Sequence, residues 1–243
     1  MGKRSARAAR GAGFESNVCT LSGTNWDPLE GSGDAKRYVK NIQPKSPNQA
    51  RLMKALQTHQ MVLALGPAGT GKTYLAIAAA VEALEANRVE RIVLSRPAVE
   101  AGESLGFLPG EISDKVAPYM QPLYDALLDR LGGKRLRALM SNGGIEIAPV
   151  GFMRGRTLSR SFVVIDEAQN CTYAQLKMLL TRLGWSATMV ITGDPDQTDL
   201  LPELSGLADI ADRLEPLANV SVNRLEQVDI VRHPLVGEML TVL

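Results

Sequence analysis

The sequence contains few of the residues that build metal centres and disulfide frameworks, and it has no apolar run long enough for a membrane span. Its 243 residues include two cysteines, Cys19 and Cys171, and two histidines, His59 and His233. Two cysteines so far apart do not indicate a disulfide framework, and this favours a reducing compartment. The histidines have no cysteine or carboxylate at ligand spacing, which argues against a zinc site. Because the longest apolar runs fall far below the ~18 residues of a membrane span, we expect a cytoplasmic protein with no membrane partner.

Net charge and aromatic residues are scarce as well. The formal net charge is +1, so any nucleic-acid site must be a local patch and not a property of the whole surface. Aromatic residues make up 5% of the chain, which leaves few side chains on which bases could stack. The basic residues near the start have no apolar segment after them, so a secretory signal is not expected.

Hydrophobic residues are plentiful, at 45% of the chain, and they are distributed unevenly. Residues 1–40 mix glycine, serine, arginine and aspartate with few large apolar side chains, so we predict a poorly ordered basic tail. A solvated tail is favoured over a nucleic-acid contact, although the basic start is compatible with both. From residue 41 to 243, apolar runs of strand length alternate with helical patterns, which predicts a single folded domain.

The most informative stretch is a phosphate-binding P-loop of the form G-x-x-x-x-G-K-[ST]. It reads Gly66, Pro67, Ala68, Gly69, Thr70, Gly71, Lys72 and Thr73, with Tyr74 directly after it. A strand-length apolar run precedes it, and a segment rich in helix formers follows it. Glycines allow backbone N–H groups to surround an anion, and the helix N-terminus adds its positive dipole. We expect this segment, including Tyr74, to bind ATP, with Lys72 on the β- and γ-phosphates and the Thr73 hydroxyl on Mg²⁺.

A second pattern places two acids at the end of a strand. The apolar run 162–165 is followed directly by Asp166 and Glu167. A buried parallel strand would present both acids at its C-terminal edge beside the P-loop, where Asp166 would hold Mg²⁺ directly or through water. Glu167 would orient and deprotonate the attacking water. Many strands end in acids, but together with an upstream P-loop this pattern indicates nucleotide hydrolysis.

Two glutamines are further candidates. Gln197 follows the predicted strand 188–192, at a strand end from which P-loop enzymes contact the γ-phosphate or its attacking water. An ordinary acidic turn is the alternative for this stretch. Gln49 lies in the first turn of a helix that Ser46 and Pro47 are expected to begin. Its amide could pair with N6 and N7 of adenine, but spacing alone favours a solvent-facing side chain.

Two arginines flank a glycine in the loop after the predicted strand 145–148. Arg154 and Arg156 form a flexible cationic arm that suits phosphate contact, in a nucleotide or in a nucleic acid. An ordinary solvated loop explains them equally well, so both interpretations stay open at this point.

The alternation of strand and helix patterns predicts an α/β fold with a mainly parallel sheet and right-handed crossovers. We expect a RecA-like P-loop NTPase domain in which the P-loop strand is central. The strands that end at Ser95, Asp166 and Gly193 are expected beside it.

These patterns together resemble the PhoH-like ATPases, phosphate-starvation-inducible proteins related to the first motor domain of superfamily 1 helicases. Beyond the P-loop, the similarity rests on residues 166–170 and 193–197, and on the segments 96–103, 105–110, 152–157 and 231–236. It runs from about Asn41 to the C-terminus. The resemblance implies that Gln49 reads adenine and that Gln197 and Arg232 sense the γ-phosphate. It also implies Mg²⁺-dependent ATP hydrolysis coupled to binding or remodelling of RNA or single-stranded DNA.

The sequence departs from the larger helicases because no second P-loop-like core is visible. It is most similar to short, ATPase-only members such as those carried by phages, which puts any nuclease activity in doubt. We therefore expect a homo-oligomer, a hexameric ring by analogy with other RecA-like motors, with Arg154 or Arg156 reaching a neighbouring site and Arg232 acting within its own subunit. A nucleotide-dependent assembly or switch module without unwinding activity is the alternative. A P-loop kinase is a third, and it lacks an evident acceptor-binding lid.

Overall fold

A computed structural model describes residues 42–97, 112–201 and 204–231. The predicted tail at 1–40 and the candidate Arg232 lie outside the described residues. The helices are α1 Pro47–Thr58, α2 Lys72–Glu85, α3 Ile112–Leu131, α4 Gly133–Ser141, α5 Tyr173–Leu180 and α6 Leu207–Leu214. The strands are β1 Met61–Leu65, β2 Arg91–Arg96, β3 Ile145–Pro149, β4 Ser161–Ile165, β5 Thr188–Gly193 and β6 Val220–Arg224.

All six strands form one sheet in the order β3-β2-β4-β5-β1-β6, and every pairing is parallel. The predicted α/β fold with a parallel sheet is therefore confirmed. The predicted central position of the P-loop strand is wrong, because β1 lies second from one edge and pairs with β5 and β6. Of the three expected neighbours, only β5 pairs with it. Strands lie about 4.8 Å apart, so β4 is separated from β1 by the full width of β5.

The sheet is buried on both faces, as a parallel sheet requires. Residues that alternate along each strand belong to two separate apolar clusters: Ile92 and Leu94 of β2 face α1–α4, whereas Val93 faces α5, α6 and the segment after β3. Because both faces are covered, the surface left for function is the edge at which the strands end. No described helix is both long enough and apolar enough to cross a membrane.

Local signals set the helix boundaries well. The hydroxyl of Ser46 accepts a hydrogen bond from the Gln49 N–H, and Pro47 is the first residue of α1, as predicted. Gly132 follows α3 with φ of 72°, a conformation that ends a helix and suits glycine. Although proline normally ends or kinks a helix, α3 runs through Pro118 and Pro122. Its buried residues, which include Leu123 and Tyr124, pack on the same apolar cluster as α2, and this packing outweighs the cost of about 3 kcal/mol for an internal proline.

Candidate nucleotide-binding site

The P-loop joins the C-terminal end of β1 to the first residue of α2. Gly66, Gly69 and Gly71 have φ values of 133°, 83° and 84°, which L-residues with side chains rarely adopt. At Gly66 a Cβ would also lie 2.1 Å from the carbonyl oxygen of Leu225, so only glycine fits there. The loop can therefore curl tightly at the N-terminus of α2, where backbone N–H groups and the helix dipole favour an anion.

Lys72 occupies the centre of this loop. Its Nζ donates hydrogen bonds to the carbonyl oxygens of Gly66 at 2.5 Å and Pro67 at 2.7 Å. Burial lowers the pKa of the Lys72 ammonium, and the nearby carboxylates of Asp194, Glu167 and Asp166 oppose that shift. A partly desolvated cation between these acids and the loop attracts a phosphate strongly, because it gains an anionic partner in place of water.

Asp166 and Thr73 meet directly, although they are far apart in sequence. The hydroxyl of Thr73 donates to Asp166 Oδ1 at 2.6 Å, and the hydroxyl of Thr192 donates to the same oxygen at 2.6 Å. Burial raises the pKa of Asp166, whereas the two hydroxyl donors and Arg96 act to lower it. Thr192 was not among the sequence candidates, since a threonine inside a strand carries no distinguishing pattern.

The Thr73 hydroxyl and the Asp166 carboxylate fit a magnesium ion. Both offer oxygen, the ligand type that Mg²⁺ prefers, and Mg²⁺ commonly takes one or two protein ligands and completes its shell with water and substrate phosphates. Within the described ranges, no cluster of three or more histidine, cysteine or acidic side chains could hold a metal. The donor set therefore suits a metal that arrives with a nucleotide.

Glu167 adopts an unusual backbone conformation. Its φ of 52° and ψ of 42° are left-handed, which is uncommon for a residue other than glycine. Its Oε1 accepts from Arg96 Nη2 at 2.8 Å, and its Oε2 accepts from Gln169 Nε2 at 2.5 Å. Backbone strain of this kind clusters at functional sites, where neighbouring structure holds it in place.

Gln169 ties the acidic pair to the loop after β5. Besides donating to Glu167, its side-chain oxygen accepts from the Asp194 N–H at 3.1 Å, and its backbone oxygen accepts from the hydroxyls of Thr198 and Ser205. Neither Gln169 nor Arg96 was assigned a role from sequence. Both lie in the segments that carry the family resemblance, and that was the only available signal.

A cavity of about 300 Å³ is lined by several of the predicted residues. The P-loop and first turn of α2 form one side, Asp166 and Glu167 form another, and Gln197 closes it from the loop after β5. We call it the nucleotide cavity. Tyr74 lines it as well, and its hydroxyl donates to Asp129 of α3 at 2.9 Å.

Gln49 is placed differently from either sequence interpretation. It is 4% exposed and so is not solvent-facing, and it does not line the nucleotide cavity. Its amide donates to the Thr70 carbonyl at 3.0 Å and accepts from the Lys45 N–H at 2.7 Å. Both ends of the amide are engaged, so reading adenine would require these two bonds to exchange. The role of Gln49 stays a prediction.

The two loop arginines, Arg154 and Arg156, differ in their contacts. Arg156 makes a bidentate pair with Glu146 of β3, at 2.5 and 2.7 Å, and this pairing raises its pKa. Arg154 is exposed and has no polar partner among the described residues. Both follow β3, the strand at the opposite edge of the sheet from β6 and four positions from β1. Neither lines the nucleotide cavity of its own chain.

The predicted sensor Arg232 comes one residue after the described range 204–231 ends. The preceding residue, Val231, donates its N–H to the Gly69 carbonyl of the P-loop at 2.9 Å. The chain therefore reaches the P-loop just before Arg232, and the role of Arg232 remains a prediction.

The family model for PhoH-like proteins matches residues 41–243. The chain belongs to the PhoH-like family. A PhoH-like protein of Bacillus subtilis is 52% identical over 202 residues, which are 83% of this chain and 63% of that protein. Protein PhoH of Escherichia coli K12 is 43% identical over 202 residues, covering 82% of this chain and 57% of that protein. The chain thus spans less than two thirds of the length of the PhoH-like relatives it matches.

Two solved structures that are similar to this PhoH-like chain both have TM-scores below 0.5. The large terminase of a thermophilic bacteriophage has a TM-score of 0.49 and 14% identity, over 82% of this chain and 50% of that one. The Pif1 helicase of Candida albicans has a TM-score of 0.40 and 14% identity, over 82% of this chain and 44% of that one. Similarities at this level carry no argument about activity.

Proposed function

We propose that this PhoH-like domain hydrolyses ATP in the presence of Mg²⁺ and couples hydrolysis to binding or remodelling of RNA or single-stranded DNA. One observation carries the hydrolytic part: Thr73 of the P-loop and Asp166, which directly follows β4, meet at 2.6 Å beside Lys72 and Glu167 in one cavity. A phosphate-binding loop alone fits many nucleotide-binding proteins, but this acidic pair supplies the remaining groups for attack by water.

In the proposed reaction, the P-loop N–H groups and Lys72 hold the β- and γ-phosphates. Thr73 and Asp166 would hold Mg²⁺, which when bound offsets charge on the β- and γ-oxygens. Glu167 orients a water and takes its proton as the water oxygen attacks the γ-phosphorus in line. The bond from the γ-phosphorus to the bridging oxygen breaks, and ADP and phosphate leave. Gln197, which also lines the cavity, contacts the γ-phosphate or the water.

The small number of cations around the cavity favours a site that a second subunit completes. Among the described residues that line the nucleotide cavity, Lys72 is the only cation. P-loop ATPases commonly add an arginine, in cis or in trans, that is worth about 10³–10⁵ in rate. Within this proposal Arg232 senses the γ-phosphate in cis, and the exposed Arg154 reaches the site of a neighbour in a ring, most simply a hexamer. The low cysteine content and the use of ATP favour a cytoplasmic location.

The nucleic-acid part of the proposal is supported by the resemblance to the PhoH family and by the relation of that family to helicase motor domains.

A nucleotide-dependent assembly or switch module is the second candidate function. It is favoured because Arg96 and Gln169 hold the Glu167 carboxylate, which is therefore not free to turn into the cavity.

An assay of the purified full chain decides between them. Phosphate release from ATP is measured with and without Mg²⁺, and with and without oligouridylate or oligodeoxythymidylate, beside the Lys72→Ala protein as a blank. We expect Mg²⁺-dependent release that either strand increases. Hydrolysis that no strand changes would leave the switch module as the better proposal, and binding without hydrolysis would remove the ATPase proposal.

A further inference from the structure

A second cavity adjoins the nucleotide cavity at the C-terminal ends of β2 and β4, and it has a volume of about 480 Å³. We call it the side groove. Arg96, Tyr119 and Asn170 line its outer part, and it shares Glu167, Gln169 and Gln197 with the nucleotide cavity. A ligand in the side groove would therefore touch the same side chains that face the nucleotide.

Arg96 is the cation of this groove, and it holds the acidic pair. Its Nη2 donates to Glu167 Oε1 at 2.8 Å, its Nη1 donates to the Tyr119 carbonyl at 2.9 Å, and its Nε lies 3.7 Å from Asp166 Oδ2. The side chain of Arg96 is 18% exposed, and that of Glu167 is 37% exposed, so solvent reaches the pair. An anion that enters the groove can therefore compete with Glu167 for the guanidinium.

The contacts of Glu167 oppose its proposed role as a base. One carboxylate oxygen accepts from Arg96 and the other from Gln169. With both oxygens already accepting from protein donors, the carboxylate has less capacity left to accept a hydrogen bond from the attacking water. Hydrolysis would be faster if one of these donors moved away.

We propose that the side groove binds a backbone phosphate of a single-stranded nucleic acid, and that Arg96 exchanges Glu167 for that phosphate. The inference rests on the proposed function and adds to it the binding site and the coupling step. A guanidinium matches the geometry of phosphate oxygens, and such contacts dominate affinity for nucleic acids. Repulsion between the phosphate and Glu167 then turns the carboxylate away from the groove, toward the nucleotide and its water.

Two neighbours favour a strand over a free anion. Tyr119 is 38% exposed beside Arg96, so its ring is available for a base or sugar next to the bound phosphate. Asp199, the other acid of the groove, already accepts from the Asn170 amide at 2.8 Å, which moderates its repulsion of an anion. An acidic peptide would meet the same guanidinium but would make less use of an aromatic ring.

The test compares Arg96→Gln with Arg91→Gln, a change at the opposite end of the same strand and outside the groove. Binding of a fluorescent oligouridylate to the full chain is followed by anisotropy over a range of salt concentrations. For Arg96→Gln we expect weaker binding and a salt slope smaller by about 0.7, the value for one phosphate contact on a single strand. Arg91→Gln should keep the wild-type slope.

ATP hydrolysis by the same proteins gives the second readout. Arg96→Gln should raise the strand-free rate, because Glu167 loses a donor, and should lose the increase caused by oligouridylate. Arg96→Lys should keep part of that increase, because it keeps the charge. A merely structural role would instead lower the strand-free rate and nucleotide affinity together, and leave the strand-dependent ratio unchanged. Tyr119→Ala keeps the backbone carbonyl that is bonded to Arg96, and we expect it to weaken strand binding. This variant still tests the groove if Arg96→Gln fails to fold.

The outcomes separate this inference from the proposed function. If the wild-type chain binds and responds to the strand, but Arg96→Gln and Tyr119→Ala do so equally well, the groove assignment is overturned and the ATPase proposal stands. If polyglutamate stimulates as strongly as oligouridylate and depends on Arg96, the occupant is an acidic protein segment and the strand assignment is wrong. If the wild-type chain hydrolyses ATP but neither binds nor responds to a strand, both nucleic-acid claims fail.

Discussion

Lys72 and Glu167 line the same cavity, and in the proposed reaction they act on different states. Lys72 lies inside the P-loop, bonded to its carbonyls, where it can hold phosphate before any bond breaks. Glu167 lines the same cavity with a carboxylate that Arg96 and Gln169 position. Removing the first should weaken nucleotide binding, whereas neutralising the second should affect only the chemical step.

We predict that Lys72→Ala abolishes or severely weakens nucleotide binding. Glu167→Gln should keep binding and lower hydrolysis by about 10²–10⁴-fold, the usual worth of a general base. Affinity is measured with a fluorescent ATP analogue, and turnover by phosphate release. Glu90→Gln, at the surface beside Arg160, is the control and should match the wild type in both. Turnover of Glu167→Gln near the wild-type rate would remove Glu167 from its assigned role.

Cys171 gives a prediction about pH and chemical reactivity. It is fully buried, and burial raises the pKa of its thiol from 9.0 to about 12. The reactive species is the thiolate, so Cys171 should resist thiol reagents at neutral pH until the chain unfolds. Because the folded pKa is the higher one, the thiol's contribution to stability is complete below about pH 9 and is lost as pH rises toward 12.

The measurement uses a Cys19→Ser protein, so that Cys171 alone is followed. Its labelling is timed at neutral pH in buffer and in concentrated urea, and we expect reaction only in urea. Equal rates in both conditions would show that the thiol is accessible in the folded chain.

At the scale of elements, the P-loop depends on the segment that follows β6. Leu225 donates its N–H to the Leu65 carbonyl at 2.7 Å, and Val231 donates to the Gly69 carbonyl at 2.9 Å. Asp229 adds contacts to α1, since its carboxylate accepts from the Asn48 amide at 2.7 Å. The loop conformation is thus fixed by residues far along the chain, and a change that disturbs this contact should act on stability and binding together.

Gly66→Ala tests that dependence. The new Cβ would lie 2.1 Å from the Leu225 carbonyl oxygen, at a φ of 133° that alanine rarely adopts. We predict a loss of about 1–3 kcal/mol in the free energy of unfolding, measured by urea denaturation, together with weaker nucleotide binding. Gly151→Ala is the matched control, because a Cβ there meets no atom within 4 Å. Equal stability of the two variants would contradict the steric explanation.

At the scale of the whole molecule, the two edges of the sheet differ. The β3 edge leads into the loop that carries Arg154, while the P-loop lies near the β6 edge. A contact between unlike edges is heterologous, and rotational closure of such contacts makes a ring. The structure favours Arg154 over Arg156 as the candidate for the neighbouring site, because Arg156 is held by Glu146 in its own subunit.

We predict that mixing two inactive variants restores part of the ATPase activity. Glu167→Gln subunits lack the proposed base, and Arg154→Ala subunits lack the proposed trans arginine, so some mixed interfaces would hold both groups intact. Hydrolysis is measured at a series of mixing ratios. Mixtures of Glu167→Gln with Arg160→Ala, which removes an exposed arginine paired with Glu90, show the activity that dilution alone produces.

Two results would contradict the ring. Arg154→Ala could retain full activity alone, which would remove the trans role of that residue. The chain could also stay monomeric with ATP and still hydrolyse it efficiently, as measured by light scattering and phosphate release.

The sequence by itself determined the local units of this protein. Strand β1, the P-loop and α2 follow each other within one short stretch, and their residue types favour each conformation independently of the rest of the chain. Ser46 and Pro47 begin α1 for the same reason, and Asp166 and Glu167 follow β4 directly. Caps, periodicity and turn residues act over a few positions, so they can be read in order.

Only the tertiary structure decided which of these units meet. Thr73 bonds Asp166 across 93 positions, and Arg96 pairs with Glu167 across 71. The place of β1 near the sheet edge and the buried amide of Gln49 depend on crossovers and packing that no local pattern specifies. Charged and polar side chains find partners through the fold because burial leaves them no water to bond. For that reason the sequence alone identified the P-loop and the acids Asp166 and Glu167. Only the fold revealed that Arg96 contacts both acids.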